Sequence, residues 1–497
     1  MVSHVVNLNA FLRLPSNNNA LMSFCSRIVA SAHTIRAWGV HVIPWRQSTL
    51  ALFGCYLSAC SGGGFQATTT GLSSGTTLPS VAGPGTTQPP VMVENNVFCA
   101  GDGVTDDFKC LSDAISNAGK TNNLLVLQKG KTYLTQNVLA MPDNVQFNGN
   151  GATLIAGKIS AGGSLLKING KNVVVRNLNL KSLQNINAAI EFGFNVQDAK
   201  ILSNNVTGFF SNGIYLGGKG QSNILIDGNK IDGGKDRAKG SIIYGILLNS
   251  LNLGISVADY PHHITISNNT VLNVTADAIE INSPVHAMAP QGSTREGVAA
   301  NNIVISNNTL SAPYAGSPGA GMCIGIAGAF EVMVSGNKMS ECKWQGIHIE
   351  DRSYNVTLEL NTIQNIIAAP GSLYSPCIYA MNSKNVKILN NNLSQCFNSG
   401  IYLVWNAEGM NESFTIAGNR ISSNTETHIK IVGDGKTRLN MIIGDASNNR
   451  SNDNVFSGSV REHVMACDPS VRGSNIAFAS KRTDDVGGNG GTCTKIY

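Results

Sequence analysis

From about residue 124 onward the chain is written in short runs of alternating apolar and polar residues, each closed by Asn or Gly. A period of two is the mark of a strand, and bounding Asn and Gly predict tight turns. Two signatures alternate along the chain. One is Ile226-Asp-Gly-Asn229-Lys-Ile231, repeated as Ile266-Ser-Asn-Asn269-Thr-Val271, Val334-Ser-Gly-Asn337-Lys-Met339, Leu358-Glu-Leu-Asn361-Thr-Ile363 and Ile416-Ala-Gly-Asn419-Arg-Ile421. The other is Gly213-Ile-Tyr-Leu216, repeated as Gly245-Ile-Leu-Leu248, Ala278-Ile-Glu-Ile281, Cys323-Ile-Gly-Ile326, Gly346-Ile-His-Ile349 and Gly400-Ile-Tyr-Leu403. The shortest full period, Asn337 to Asn361, is 24 residues. No helical pattern separates the runs, which excludes a βαβ fold and requires successive strands to stack in parallel: an all-β solenoid, a parallel β-helix. The repeated Asn residues are expected at turns, tolerating left-handed backbone and hydrogen-bonding to one another along the stack.

Composition agrees with this reading. Glycine is abundant (53 residues) and charged residues make up only 13%, as suits a turn-rich stack. The net charge of +5 is spread thinly, without the Lys/Arg stripe that phosphate neutralisation needs, so a nucleic-acid partner is excluded. The first sixty residues differ. Arg46 precedes the apolar run Thr49–Leu57, which ends in Ser58-Ala59-Cys60. That run is shorter than the ~20 residues a membrane span requires and has the layout of a cleaved signal. Leu57-Ser58-Ala59-Cys60 resembles the lipobox of bacterial lipoproteins, which implies a lipid on Cys60 and attachment to a membrane. Residues 1–40 exceed what a signal needs, which suggests a true start further downstream. The expected organisation is 1–59 signal and pre-region, 60–93 a flexible Gly/Ser/Thr/Pro tether, 94–123 an N-terminal cap, 124–460 the solenoid and 461–497 a C-terminal cap. The product is expected to be exported, either held in the cell envelope or outer membrane or secreted.

The cap begins with Gly101-Asp-Gly-Val-Thr-Asp-Asp107, followed by residues 108–117 in a helical pattern with Asp106 or Asp107 as N-cap and an end near Gly119. This opening, with the repeats, resembles the Gly-Asp-Gly-x-x-Asp-Asp motif of the pectate-lyase-like superfamily, its rhamnogalacturonase and epimerase branch in particular. The resemblance implies a right-handed parallel β-helix whose short helix plugs one end. It covers about residues 94–460 and leaves the reaction open among hydrolases, lyases, epimerases and binding proteins. Cys99 with Cys110, and Cys467 with Cys493, flank short segments at the two ends and are expected to form disulfides. Cys323 and Cys377 share one repeat position, and Cys342 and Cys396 another. In each case one full coil intervenes, and two spacings of ~4.8 Å exceed the ~7 Å Cα limit of a disulfide. These four are therefore expected to be small buried hydrophobes.

Alternation also assigns faces. In the Gly-Ile-x-Ile strand the aliphatic pair points inward, so the residue between them points outward. That column reads Glu191, Tyr215, Leu247, Glu280, Gly325, His348, Tyr379, Tyr402, Lys430, and the next reads Gly193, Gly217, Asn249, Asn282, Ala327, Glu350, Met381, Val404, Val432. Gly325 and Ala327 open a hollow between Glu280 and Asn282 on one side and His348, Glu350, Asp351 and Arg352 on the other. Long insertions at 249–261, 283–300, 312–321 and 367–375 crowd the same coils, which marks them for function. The candidate ligand is a polysaccharide, with Tyr215, Asn249, Asn282, Tyr379 and Tyr402 to bind sugar rings. Glu280 and Glu350 form a candidate pair for inverting glycoside hydrolysis of a uronic-acid-containing polymer, with Asp277 in reserve. The alternatives are β-elimination or C5 epimerisation of a uronic acid, with His348 or Tyr379 as base and Arg352 as the neutralising cation, or a non-catalytic surface binder. No cofactor and no metal site is expected, except that a lyase could hold Ca²⁺ through Glu280, Asn282 and Glu350. Asp259-Tyr-Pro-His-His263 resembles the Asp-Pro-His motif of alginate epimerases but carries an inserted Tyr260 and lacks the final Asp, so His262 and His263 are read as loop residues, as is His286.

Overall fold

Each lap of the chain lays down strands on three faces, and every strand pairing is parallel to its equivalents one lap before and after. The computed structural model describes residues 94–121, 123–234, 242–250, 256–283, 298–314, 320–368, 375–405, 412–422, 424, 426–433, 439–444, 454–457, 462–465, 475–478, 486–487 and 493–495. One face is a 15-stranded sheet running from Glu94–Asn96 to Cys493–Lys495. The other two, which begin at the repeated Asn and at the Gly-Ile-x-Ile motif, join where the long strands Asn179–Phe192 and Asn205–Leu216 bend around a corner. Six strands of the Gly-Ile-x-Ile face carry the candidate site: β1 (Tyr244–Asn249), β2 (Ile279–Asn282), β3 (Ile324–Ala327), β4 (Ile347–Glu350), β5 (Ile378–Met381) and β6 (Ser399–Val404). The parallel ladders continue past residue 460: Glu462–Met465, Val486–Gly487 and Cys493–Lys495 pair in the same series.

The repeated Asn residues form a continuous internal ladder. Along Asn204, Asn229, Asn269, Asn308, Asn337, Asn361, Asn391, Asn419 and Asn454, each but the last passes an Nδ2 hydrogen bond of 2.9–3.0 Å to the Oδ1 of the next. The same Oδ1 atoms also accept the backbone N–H of the preceding Asn, as between Asn308 and Asn337 at 2.9 Å. A column of buried amides is thereby satisfied, each by the next. Left-handed backbone falls on the residue before the ladder Asn, at Gly228, Asn268, Asn307, Gly336, Leu360, Asn390 and Gly418. A second left-handed column, Asn223, His263, Asn302, Glu331, Asn355 and Asn385 with φ of 50–54°, repeats in register at the next corner. Asn and Gly are abundant because each lap needs several such corners.

The interior is one apolar column from Val97 to Ile476. At its N-terminal end helix α1 (Phe108–Thr121) buries Leu111, Ile115 and Ala118, one stripe at spacings of four and three, and runs two residues past Gly119. Asp106 Oδ1 accepts the Phe108 N–H at 3.1 Å, while the buried Asp107 carboxylate accepts from Gly101 N at 3.2 Å and so closes the Gly-Asp-Gly loop. Cys99–Cys110 is a disulfide, with Cα atoms 5.8 Å apart.

The four central cysteines overturn the expectation of free thiols. They form two bridges, Cys323–Cys342 and Cys377–Cys396, with Cα separations of 5.5 and 5.3 Å. The partners are not equivalent positions on different coils. Each pair spans 19 residues, so the chain nearly completes a lap and returns beside its starting corner. Cys467 and Cys60 lie outside the described residues, so the Cys467–Cys493 pairing and the lipid anchor do too. Among the described residues no helix is long and apolar enough to cross a membrane.

Candidate active site

The outward columns read from the sequence are rows of the structure. Glu191, Tyr215, Leu247, Glu280, Gly325, His348, Tyr379, Tyr402 and Lys430 follow one another in unbroken register, each directly over its neighbour on the next coil. Asn249, Asn282, Ala327 and Glu350 form the adjoining row. The inward Ile residues on either side of Glu280, Gly325 and His348 are fully or almost fully buried and fix these side chains on the outer face.

The hollow at Gly325 is occupied. A Cβ placed on Gly325 would stand 1.8 Å from Glu280 Oε2, so the Glu280 carboxyl leans across the glycine toward the His348 coil. There it is 9% exposed, and Oε2 has no hydrogen-bond partner among the described residues. Burial raises the Glu280 pKa well above the usual carboxylate range, and the nearby carboxyls of Asp277, Glu350 and Asp351 raise it further. Asp277, 3% exposed, is held by the next coil, where Gly321 and Met322 N–H groups donate to Oδ1 at 3.0 and 2.8 Å. Burial lifts its pKa to about 6 against the opposing pull of those donors and of His348.

His348 is the best-defended group of the site. It is 3% exposed, with Nδ1 at 2.5 Å from Gln345 Oε1 and Nε2 at 3.1 Å from Glu350 Oε2, an ion-pair contact not aligned as a hydrogen bond. Its ring lies 4.9 Å from Tyr379 and 5.6 Å from Trp344. Glu350 ends β4 half-buried, and Asp351 and Arg352 follow in a turn with φ of 57° and 61°. Two consecutive left-handed residues, neither of them Gly or Asn, mark a corner held by its surroundings. Ser353 holds it by donating from N and Oγ to the Glu350 carbonyl at 3.2 and 2.7 Å, and Arg352 N donates to Asn382 O at 3.0 Å.

The tyrosines separate. Tyr379 is half-buried, with its hydroxyl 3.7 Å from Met381 Sδ. Tyr402 is only 5% exposed, packed edge-on to Tyr379 and covered by Lys430 Nζ 5.3 Å from its ring centre. It therefore has no free face for a sugar, because the next coil places a long cation over it. Tyr215 lies two coils before Glu280, its hydroxyl folded over Gly217 and bonded to the Asn249 side chain, with burial raising its pKa. Asn282 is half-buried in the Glu350 row.

Sequence reasoning missed Gln345, Trp344 and Tyr244. Gln345 and Tyr244 stand on the strand entry three residues ahead of the outward column, the offset at which Asp277 precedes Glu280. Extending that offset along the coils was the signal that could have found them. Burial raises the Tyr244 pKa, and the Asp277 and Glu280 carboxyls raise it further. The insertions at 249–261, 283–300, 312–321 and 367–375, and His286 within one of them, lie wholly or partly outside the described residues. His262 begins the strand His262–Ser267 with Nδ1 2.9 Å from Tyr260 O, and His263 holds a left-handed corner, so both serve the turn into a strand. Among the described residues no group of three or more His, Cys, Asp or Glu could hold a metal ion.

Residues 254–466 match the family model described as a right-handed beta helix region. No sequence among the curated proteins matches the chain. Several solved structures share its fold. The A-module of the mannuronan C-5 epimerase AlgE4 from Azotobacter vinelandii superposes with a TM-score of 0.51 at 14% identity, over 75% of this chain and 97% of that one. The Streptococcus pneumoniae surface protein and adhesin PfbA gives 0.53 at 15%, over 78% and 100%. The catalytic unit of a GH87 alpha-1,3-glucanase from Streptomyces thermodiastaticus strain HF3-3 gives 0.52 at 14%, over 82% and 70%. With parallel ladders on three faces and a helix closing the first coil, the chain has the right-handed parallel β-helix fold.

Proposed function

We propose that the protein cleaves a polysaccharide by inverting glycoside hydrolysis at the Glu280–Glu350 site, with a uronic-acid-containing polymer as the expected substrate. The observation that carries this reading is the Glu280 carboxyl, buried over Gly325 with one oxygen unpartnered among the described residues and its pKa raised well above the carboxylate range. Such a carboxyl keeps its proton to higher pH than an exposed one and can donate it to a glycosidic oxygen. Glu350, in ion-pair contact with His348, is the carboxylate that would take a proton from the attacking water. Glu280 and Glu350 belong to coils two apart, ~10 Å between strands, and the lean of Glu280 across one of those spacings supports the ~6.5 to 9.5 Å that an inverting pair requires. Tyr379 offers a half-buried ring on the next coil, and Arg352, in the turn after Glu350, is proposed as the cation that meets a uronate carboxylate. The glucanase among the structural neighbours supports this reading only through its fold.

One observation favours a second reading, β-elimination or C5 epimerisation. His348 and Tyr379 stand ring against ring at 4.9 Å, so two groups able to move a proton at C5 of a uronic acid share one site. A panel of acidic and neutral polysaccharides separates the readings. New reducing ends without absorbance near 235 nm are expected for hydrolysis. Absorbance at 235 nm would transfer the assignment to elimination, a changed uronate composition without cleavage to epimerisation, and binding without turnover to an adhesin-like role. Replacing Glu280 and Glu350 separately by Gln should remove turnover and leave the fold intact, and full activity in either variant would refute the assignment. Three disulfides support export to an oxidising compartment. Attachment through Cys60 is part of the proposal, and mass spectrometry of the mature N-terminus tests it.

A further inference from the structure

His348 is surrounded in a way that fixes its proton. Gln345, 1% exposed, sets its side-chain oxygen 2.5 Å from Nδ1. An amide oxygen only accepts, so Nδ1 must carry the hydrogen. The ring then presents Nε2 to Glu350 Oε2 at 3.1 Å. With Nδ1 protonated, Nε2 is the ring position left to take up or give a proton, and it lies beside the Glu350 carboxyl. Ring rotation is opposed by Tyr379 and Trp344, packed at 4.9 and 5.6 Å. The titratable groups facing this pair are Asp277 and Glu280 from β2 and the strand entry, Asp351 from the turn after β4, and Tyr379 from β5, while Arg352 follows Asp351 in the same turn.

We infer that Gln345 is a positioning residue. It locks His348 with Nδ1 protonated and Nε2 turned to the Glu350 carboxyl, so that Nε2 is the position at which the His348–Glu350 dyad takes up a proton. This rests on the hydrolytic reading for its catalytic consequence. In turnover water gives its hydroxyl to the sugar carbon and its proton to Glu350, Glu280 gives its proton to the leaving oxygen, and the cleaved C–O bond supplies that oxygen's electron pair. The His348–Glu350 dyad then holds one more proton and Glu280 one fewer, and exchange with solvent restores both. Gln345 touches no reacting atom. Its effect runs through the tautomer of His348.

The test pairs a spectroscopic and a kinetic readout. Protein labelled with ¹⁵N-histidine is examined by NMR near neutral pH, with the His348 signals assigned by their loss in His348→Asn among the nine histidines of the sequence. A directly protonated Nδ1 is expected in the wild type, and a Gln345→Leu variant should show mixed tautomers with a lowered Nδ1–H population. Gln345→Glu keeps an acceptor and should restore the wild-type pattern. On the substrate found by the panel, Gln345→Leu should lower kcat about tenfold to a hundredfold with little change in KM, and Gln345→Glu should recover most of it, an effect of the size seen for groups that orient a functional histidine. A wild-type His348 carrying its proton on Nε2 with Nδ1 bare would overturn the inference whether or not any polysaccharide is cleaved. An intact tautomer in Gln345→Leu, with a fall in melting temperature as the sole change, would likewise reduce Gln345 to a packing residue. If the spectra are as expected but no polymer is hydrolysed, it is the hydrolytic reading that fails and the dyad that stands.

Discussion

Gly325→Ala isolates the role of the Glu280 carboxyl with one methyl group. The added Cβ would lie 1.8 Å from Glu280 Oε2, where ordinary contact begins at 3.4 Å, so the carboxyl must withdraw by about 1.6 Å. The atom displaced is the end of a flexible side chain rather than backbone, and Gly325 lies in a regular strand with both neighbours buried, so the fold should absorb the change for about 1–3 kcal/mol. Catalysis should not absorb it. A catalytic group misplaced by about 1 Å costs on the order of 100-fold, and a fall in kcat of that size is expected with KM nearly unchanged. The pH profile should move as well. Glu280 must be protonated to act as the acid, so activity is lost as pH rises through its raised pKa. A carboxyl pushed out of the hollow regains water, its pKa falls, and the alkaline limb should shift toward lower pH. The assay is reducing-end release across pH 4 to 9, with thermal melting as the control for folding. Wild-type kcat together with an unmoved alkaline limb would show that the seat over Gly325 is irrelevant to turnover.

Three further outcomes follow from the same physics. Asn337→Ala strips the acceptor from the buried N–H and Nδ2 of Asn308, both 2.9 Å away, and at about 1–3 kcal/mol for each orphaned donor should cost about 2–6 kcal/mol in urea unfolding. Replacing Cys323 and Cys342 together by Ser opens a bridge across 19 residues and should remove about 3 kcal/mol, while peptide mapping of the unreduced wild type should recover Cys323 with Cys342 and Cys377 with Cys396. Burial raises the Asp277 pKa to about 6 in the folded protein from an ordinary 3.8, so the folded state binds the extra proton; its contribution to stability is full below 3.8 and is lost as pH rises through about 6. Asp277→Asn, whose amide oxygen can still accept from Gly321 and Met322, should therefore flatten the decline in stability between pH 4 and 7, and an identical decline in the variant would refute the assignment.

Much of the site was legible because strand alternation has a period of two, with no freedom for drift. Once the Ile residues of Ala278-Ile-Glu-Ile281 and Gly346-Ile-His-Ile349 are placed inside, Glu280 and His348 can only lie outside, and the ladders place them in one row. What alternation leaves unsaid is where an outward side chain goes next. Glu280 leans along the stack and is buried, and Tyr402 is covered by Lys430 one coil away. The cysteine pairs were hidden for a related reason. Comparing equivalent positions measures distance along the stack, whereas Cys323 and Cys342 meet around the lap, at a corner whose geometry depends on how many residues the intervening turns consume. Gln345 escaped because its importance lies in a contact with His348, three residues away across an irregular strand entry.

Helix α1 has a consequence beyond closing the core. A stack of parallel coils is a template for its own continuation, since the first coil offers unused backbone donors and acceptors and an apolar cross-section to whatever can match its pitch. Leu111, Ile115 and Ala118 occupy that cross-section with a segment that cannot be extended as a strand, and Cys99–Cys110 bolts the helix in place. The helix is in effect a chain terminator. Without it, molecules could add end to end into fibrils, and the regularity that makes this scaffold rigid would become its route to polymerisation.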